Sequence, residues 1–121
     1  MIGQLFLALI LGAFLGLERE LKKKPAGFQT YSLVSLASAL FEILGFGSFV
    51  PVGIGFLGAG VIFKKEDNIF GLTTAAGLWL ASAVGLAVGK EKYSLAFLAT
   101  FLGLLIFLFF YHLEKKFFKK I

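Results

Sequence analysis

The chain has no cysteine, two prolines and a single histidine. Without thiols it can form no disulfide and hold no metal through thiolate. The lone His112 has no second imidazole beside it in sequence, so it makes a poor metal ligand or catalytic base. Charge is scarce too, at 16% of 121 residues against 59% hydrophobic. That balance excludes an ordinary soluble domain and places the chain in the membrane class. Missing as well are a Pro- or Ser-rich linker, a clear internal repeat and a positive segment ahead of the first apolar run. The sequence therefore gives no reason to expect a second domain, an inverted-repeat transporter or a cleavable signal peptide. No nucleophile, base and orienting group fall into a set, so neither an enzyme nor a cofactor is expected.

What is present is a series of apolar segments separated by short charged clusters. They predict helices near residues 2–20, 28–44, 50–63, 69–88 and 94–113, with a basic tail at 114–121. A crossing helix needs about 20 residues. Residues 25–63 carry one charge, Glu42, over a length that suits two crossings. Gly45, Gly47, Ser48 and Pro51 lie near the middle as turn residues do, and Pro51 fits a first helical turn. The expected fold is an all-α membrane protein of five transmembrane helices in a single domain. A tight hairpin joins helices 2 and 3.

Charge sets the orientation. Arg19, Lys22, Lys23 and Lys24 follow helix 1, Lys64 and Lys65 follow helix 3, and Lys115, Lys116, Lys119 and Lys120 follow helix 5. In a five-helix arrangement all ten fall on one side, and Lys90 and Lys92 on the other. Basic residues accumulate in cytoplasmic loops, so the N-terminus is expected outside and the C-terminus in the cytoplasm. The net charge of +5 is spread as membrane-edge clusters that suit anionic lipid, and nucleic acid is not an expected partner.

Glycine is abundant inside the apolar runs. Gly53–Gly60 reads GIGFLGAG, and Gly53, Gly55 and Gly58 spell the spacing of a dinucleotide fingerprint. The apolar surroundings and the missing acidic partner argue against a nucleotide. In lipid, small residues let helix backbones approach. Ala8, Gly12 and Gly16 recur every four residues in helix 1, with Glu20 next in the row. Thr73, Gly77, Ala81, Gly85 and Gly89 do so in helix 4, and helix 3 adds Gly55/Ala59 and Gly53/Gly60. Residues four apart share a helix face. Helices 1, 3 and 4 are thus expected to form a close-packed centre, with the helix 4 row also a candidate contact face for another chain. Helix 5, rich in phenylalanine, is expected at the periphery. More than one small-residue face suggests a homodimer or contact with another membrane protein.

Intramembrane charges are costly and ask for partners. Glu18, Arg19 and Glu20 sit where helix 1 meets the cytoplasm. They read either as a solvated interface cluster or, through Glu20, as part of the interior. Glu66 and Asp67 are expected on the same side, and together with Glu18 and Glu20 could offer oxygen ligands to Mg²⁺ if they converge. Glu42 reads as a snorkelling or water-facing carboxylate, or as a path residue, with Gln4 a candidate partner. Thr73 and Thr74 open helix 4.

Several stretches resemble the MgtC/SapB membrane family: Gly16–Glu20 (GLERE), Lys24–Thr30 (KPAGFQT), Leu33–Phe41 (LVSLASALF), Gly53–Phe63 (GIGFLGAGVIF) and Gly71–Ala76 (GLTTAA), then Leu78 and Trp79. They follow the family's order over most of residues 12–90. The resemblance implies a five-helix domain in a bacterial-type inner membrane, linked to magnesium homeostasis. It adds Thr30 to the candidate ion or partner-site residues, with Glu18, Arg19, Glu20, Glu42, Thr73 and Thr74. It leaves open whether members transport Mg²⁺ or protons or act on other membrane proteins. The chain departs from the family pattern at Gln29 and Tyr31, which flank Thr30 where Arg and His are usual. Phe49, Val52 and Phe70 likewise replace polar or basic residues. The soluble C-terminal domain of many members has no counterpart in this text.

Overall fold

The structure, a computed structural model, describes residues 1–118. Its helices are α1 (Ile2–Leu21), α2 (Phe28–Ile43), α3 (Val50–Ala59), α4 (Leu72–Gly89) and α5 (Tyr93–Leu105). The last continues through a π-helical stretch (Ile106–Phe110), a single α-turn (Tyr111–Leu113) and a second π-helical stretch (Glu114–Phe118). Lys119 and Lys120 of the expected basic tail lie outside the described residues. Three helices are long and apolar enough to cross a membrane: α1, α4 and the 26-residue run Tyr93–Phe118. α3 has ten residues, preceded by a 3₁₀ turn at Gly47–Phe49. At 1.5 Å per residue that is about 15 Å, half the hydrocarbon thickness of roughly 30 Å.

The helix ends are built by backbone geometry. After α2, Gly45 takes φ 93°. Its N–H bonds the Glu42 carbonyl at 3.1 Å, and the Phe46 N–H bonds the Phe41 carbonyl at 2.8 Å. This paired closure satisfies carbonyls that a helix terminus leaves open. α1 and α4 close in the same way through Lys23 (φ 54°) and Glu91 (φ 61°), residues that pay a steric penalty glycine avoids.

Residues 63–70 differ from expectation. Helix 3 ends at Ala59 and α4 starts at Leu72. Between them Phe63–Lys65 (β1) and Asn68–Phe70 (β2) pair antiparallel, Phe63 opposite Phe70. Glu66 and Asp67 both adopt positive φ, 52° and 69°, which gives the two-residue turn the twist a hairpin needs. The Phe63 and Phe70 rings stack at 5.2 Å.

The centre of the bundle is also a correction. α2 packs against both α1 and α4, which also touch each other, while α3 rests chiefly on α4. The glycine rows of α1 and α4 are the slots that hold α2. A Cβ on Gly12 would be 2.6 Å from both Ser35 Cβ and the Tyr31 carbonyl oxygen, and one on Gly16 would be 2.7 Å from the Gly27 carbonyl oxygen. On α4, a Cβ at Gly85 would overlap the Ser35 carbonyl oxygen, and one at Gly89 would be 2.7 Å from Glu42 Cβ. Ala81, one turn before Gly85 on the row, is fully buried. A Cβ on Gly53 or Gly55 of α3 would meet nothing within 4 Å, and one on Gly58 would make an ordinary 3.6 Å contact with Ala75. Gly60 is close only to its own helix, at Leu57. α5 is peripheral: three of its residues, Ala96, Thr100 and Gly103, are buried, against eight in α4.

Candidate functional site

The end of α1 and the start of α4 bring together a polar cluster. Glu18 and Arg19 are adjacent in sequence and both buried, at 6% and 2% exposed. Taking charges out of water costs several kcal/mol per ion unless partners replace the solvent. Here Arg19 Nε donates to Glu18 Oε1 at 2.6 Å, and Lys22, one turn on, places Nζ 2.7 Å from Glu18 Oε2. That second contact is an ion pair without hydrogen-bond alignment, since Oε2 accepts no hydrogen bond. Lys22 Nζ directs its hydrogen bond to the Phe107 carbonyl oxygen at 2.9 Å, in the π-helical stretch that follows α5. The Phe107 ring lies 4.0 Å from the Arg19 guanidinium carbon and supplies its negative face.

α2 and α4 complete the cluster. The Tyr31 hydroxyl donates to the Thr74 carbonyl oxygen at 2.7 Å. Arg19 Nη1 is 3.5 Å from Thr74 Oγ1, the outer limit of a hydrogen bond. Gly77, one turn after Thr73, has no side chain because the Tyr31 hydroxyl and the Phe107 ring fill that space. The arrangement is a fixed electrostatic joint. It ties α1, α2, α4 and the run after α5 together at one end of the bundle.

Of the candidate residues, Glu18, Arg19 and Thr74 meet here, and Thr73 stands exposed at the rim. Glu20 points elsewhere: its Oε1 accepts the Phe28 N–H at 3.2 Å, capping the start of α2 where a carboxylate also suits the helix dipole. Thr30 is exposed, whereas its neighbour Tyr31 is buried. Glu42 lies at the opposite end, 3.4 Å from Lys90 Nζ. Gln4 is not its partner. Gln4 Nε2 donates instead to the Val88 and Gly89 carbonyls at 3.0 and 2.9 Å, closing the end of α4. Glu66 and Asp67 form the ribbon turn, and among the described residues no three or more His, Cys, Asp or Glu side chains gather as a metal-ligand set. Tyr31, Lys22 and Phe107 carry the joint without having been singled out for it. Tyr31 was visible as a departure from the family pattern, but Phe107 was one phenylalanine among sixteen.

A profile of the MgtC family matches residues 5–116, almost the whole chain. The chain belongs to the MgtC family. It is 34% identical over 129 residues to YhiD of Escherichia coli (strain K12), provisionally named a magnesium transporter, covering 91% of this chain and 60% of that protein. To SrpB of Synechococcus elongatus it is 35% identical, covering 84% of this chain and 70% of SrpB. To MgtC of Brucella abortus (strain 2308) it is 41% identical, covering 77% of this chain and 44% of MgtC. No solved structure matches. As a family member with several helices apolar enough to span a bilayer, it is a multi-pass membrane protein.

Proposed function

We propose that this MgtC-family chain is a magnesium-related protein of a bacterial-type inner membrane that acts through helix contact with a second copy of itself, or with another membrane protein. The carrying observation is the contrast between the glycine rows. Those of α1 and α4 are filled from within the chain, whereas Gly53 and Gly55 of α3 face open space. Val52, Gly55, Phe56 and Ala59 share the outer face of α3, and all are exposed. A short helix with bare backbone on its lipid-facing side favours close approach by another helix. The magnesium association rests on the family and on the names of its relatives.

The proposed topology places the N-terminus outside and the C-terminus in the cytoplasm, with α2 and α3 entering as a hairpin from the cytoplasmic side and their turn outside. Its support is that Lys22, Lys24 and Lys115 lie within 6 Å of one ring, Tyr111, while Lys90 pairs with Glu42 at the other end. Transport of Mg²⁺ or protons along intramembrane carboxylates is the second reading, favoured by the name of YhiD. It has less geometric support. Glu18 is held by two cations and Glu42 by Lys90, with the two carboxylates at opposite ends of α4. From Thr74 to Gly89 that helix extends about 22 Å.

The test replaces Gly55 with Leu. Subunit counting in lipid should show the wild-type chain paired and Gly55→Leu single, with any growth advantage at limiting magnesium lost in parallel. Unchanged pairing in the folded variant would refute the reading.

A further inference from the structure

Beside the buried joint lies a cavity of about 430 Å³, between the α1–α2 connection, the β-ribbon and the start of α4. Four cationic side chains line it: Arg19, Lys22, Lys23 and Lys24. No acidic residue does so among the described residues. Glu18 balances one of the two cations it touches, leaving Glu18, Arg19 and Lys22 with a net charge of −1 + 1 + 1 = +1. Lys22 shares that excess with solvent, and the cationic wall gives the cavity a positive potential that favours an anion.

Two further features point to the kind of anion. Arg19 is 2% exposed, and among the described residues its acceptors are Glu18 and, at the 3.5 Å limit, Thr74. A guanidinium has five N–H donors in a fork that matches carboxylate or phosphate oxygens. The cavity also takes in the first turn of α4, Leu72 to Thr74. This 18-residue helix has no side-chain cap, so its opening N–H groups add positive dipole on the same side as the guanidinium. The remaining wall is apolar, formed by the stacked Phe63 and Phe70 rings with Ile69.

We propose that this cavity binds a phosphate group, with Arg19 and the α4 N-terminus holding its oxygens and Lys23 and Lys24 closing over it. Phosphate of this kind comes either from the headgroup of an anionic phospholipid or from free inorganic phosphate. The apolar ribbon wall favours the lipid, whose acyl chains would run along Phe70 and Ile69. The site is independent of any pairing through α3.

The experiment measures phosphatidylglycerol and phosphatidylcholine binding to the purified full chain in zwitterionic detergent, by native mass spectrometry. Inorganic phosphate serves as competitor. A lysine near an anionic headgroup contributes about fivefold in affinity, so Lys23→Gln with Lys24→Gln should cost roughly 25-fold. Lys64→Gln with Lys65→Gln removes the same charge from the ribbon outside the cavity and should cost about twofold or less, since screening weakens distant charges. Thr73→Glu brings a rival carboxylate to the cavity where the helix dipole welcomes it, and should abolish binding with the fold intact. Displacement by inorganic phosphate supports the site with free phosphate as its ligand. Lysine-dependent binding that resists displacement supports it with the lipid headgroup. Equal losses in the two double variants, full binding by Thr73→Glu, or no preference for phosphatidylglycerol over phosphatidylcholine would overturn the proposal.

Discussion

Adding one methyl group at Gly85 tests the packing of the centre. A Cβ there would overlap the Ser35 carbonyl oxygen and lie 2.8 Å from Ser38 Cβ. Carbon atoms pack at about 3.5–4.0 Å, so α2 and α4 must move apart by about an ångström. The obstacle is backbone, which cannot rotate aside as a side chain would. Overpacking of this kind costs about 1–3 kcal/mol. Alanine's better helix propensity offsets up to about 1 kcal/mol of it. Gly85→Ala should therefore be destabilised by a net of roughly 0–2 kcal/mol, and by about 1–3 kcal/mol relative to a site that keeps the propensity gain without the clash. Gly55→Ala, with nothing within 4 Å of its Cβ, has only the propensity gain and should be neutral or slightly stabilised. Reversible unfolding in mixed detergent micelles, followed by far-ultraviolet circular dichroism at a concentration where the chain is monomeric, reads both. If Gly85→Ala proves as stable as Gly55→Ala, α2 does not sit in the α4 row and the centre is wrong.

Two further substitutions probe the joint and the helix ends. Arg19→Gln removes the charge-assisted hydrogen bond to Glu18 Oε1 while Lys22 stays beside Oε2, and should cost about 1.5–3 kcal/mol in the same unfolding measurement, whereas a loss under about 0.5 kcal/mol would mean that water reaches the pair. Glu91→Gly relieves a left-handed residue at the close of α4 and should stabilise by about 1 kcal/mol; a destabilised variant would place Glu91 in a different backbone conformation.

The sequence made the number of helices legible because charge is confined to clusters, and the rows of small residues legible because helical periodicity marks a face. A periodic row does not say what fills it. The glycines of α3 looked like the heart of the bundle by their density, yet α2 occupies that place with Tyr31, Ser35, Ser38 and Ala39, an ordinary-looking face of small polar and apolar residues. The ribbon was hidden because Glu66-Asp67 lacks the Asn-Gly or Asp-Gly signal of a two-residue turn. At the site, GLERE was visible, but the three charged residues meet different fates within one helical turn. Glu20 caps α2 in the open, while Glu18 and Arg19 turn inward. What buries them is Thr74 and Phe107, 55 and 88 positions beyond Arg19, and no local pattern joins residues so far apart.

The central claim is that α3 carries the outward contact. The chain has no cysteine, so a single one at Val52, which is 82% exposed on α3, reports that contact without background. Oxidative cross-linking of Val52→Cys in native membranes should give a disulfide-linked dimer. The dimer should disappear when Gly55→Leu is added, and a cysteine at the exposed Phe101 of α5 should give none. Dimer from Phe101→Cys but not from Val52→Cys, or a Val52→Cys dimer indifferent to Gly55→Leu, would contradict the account.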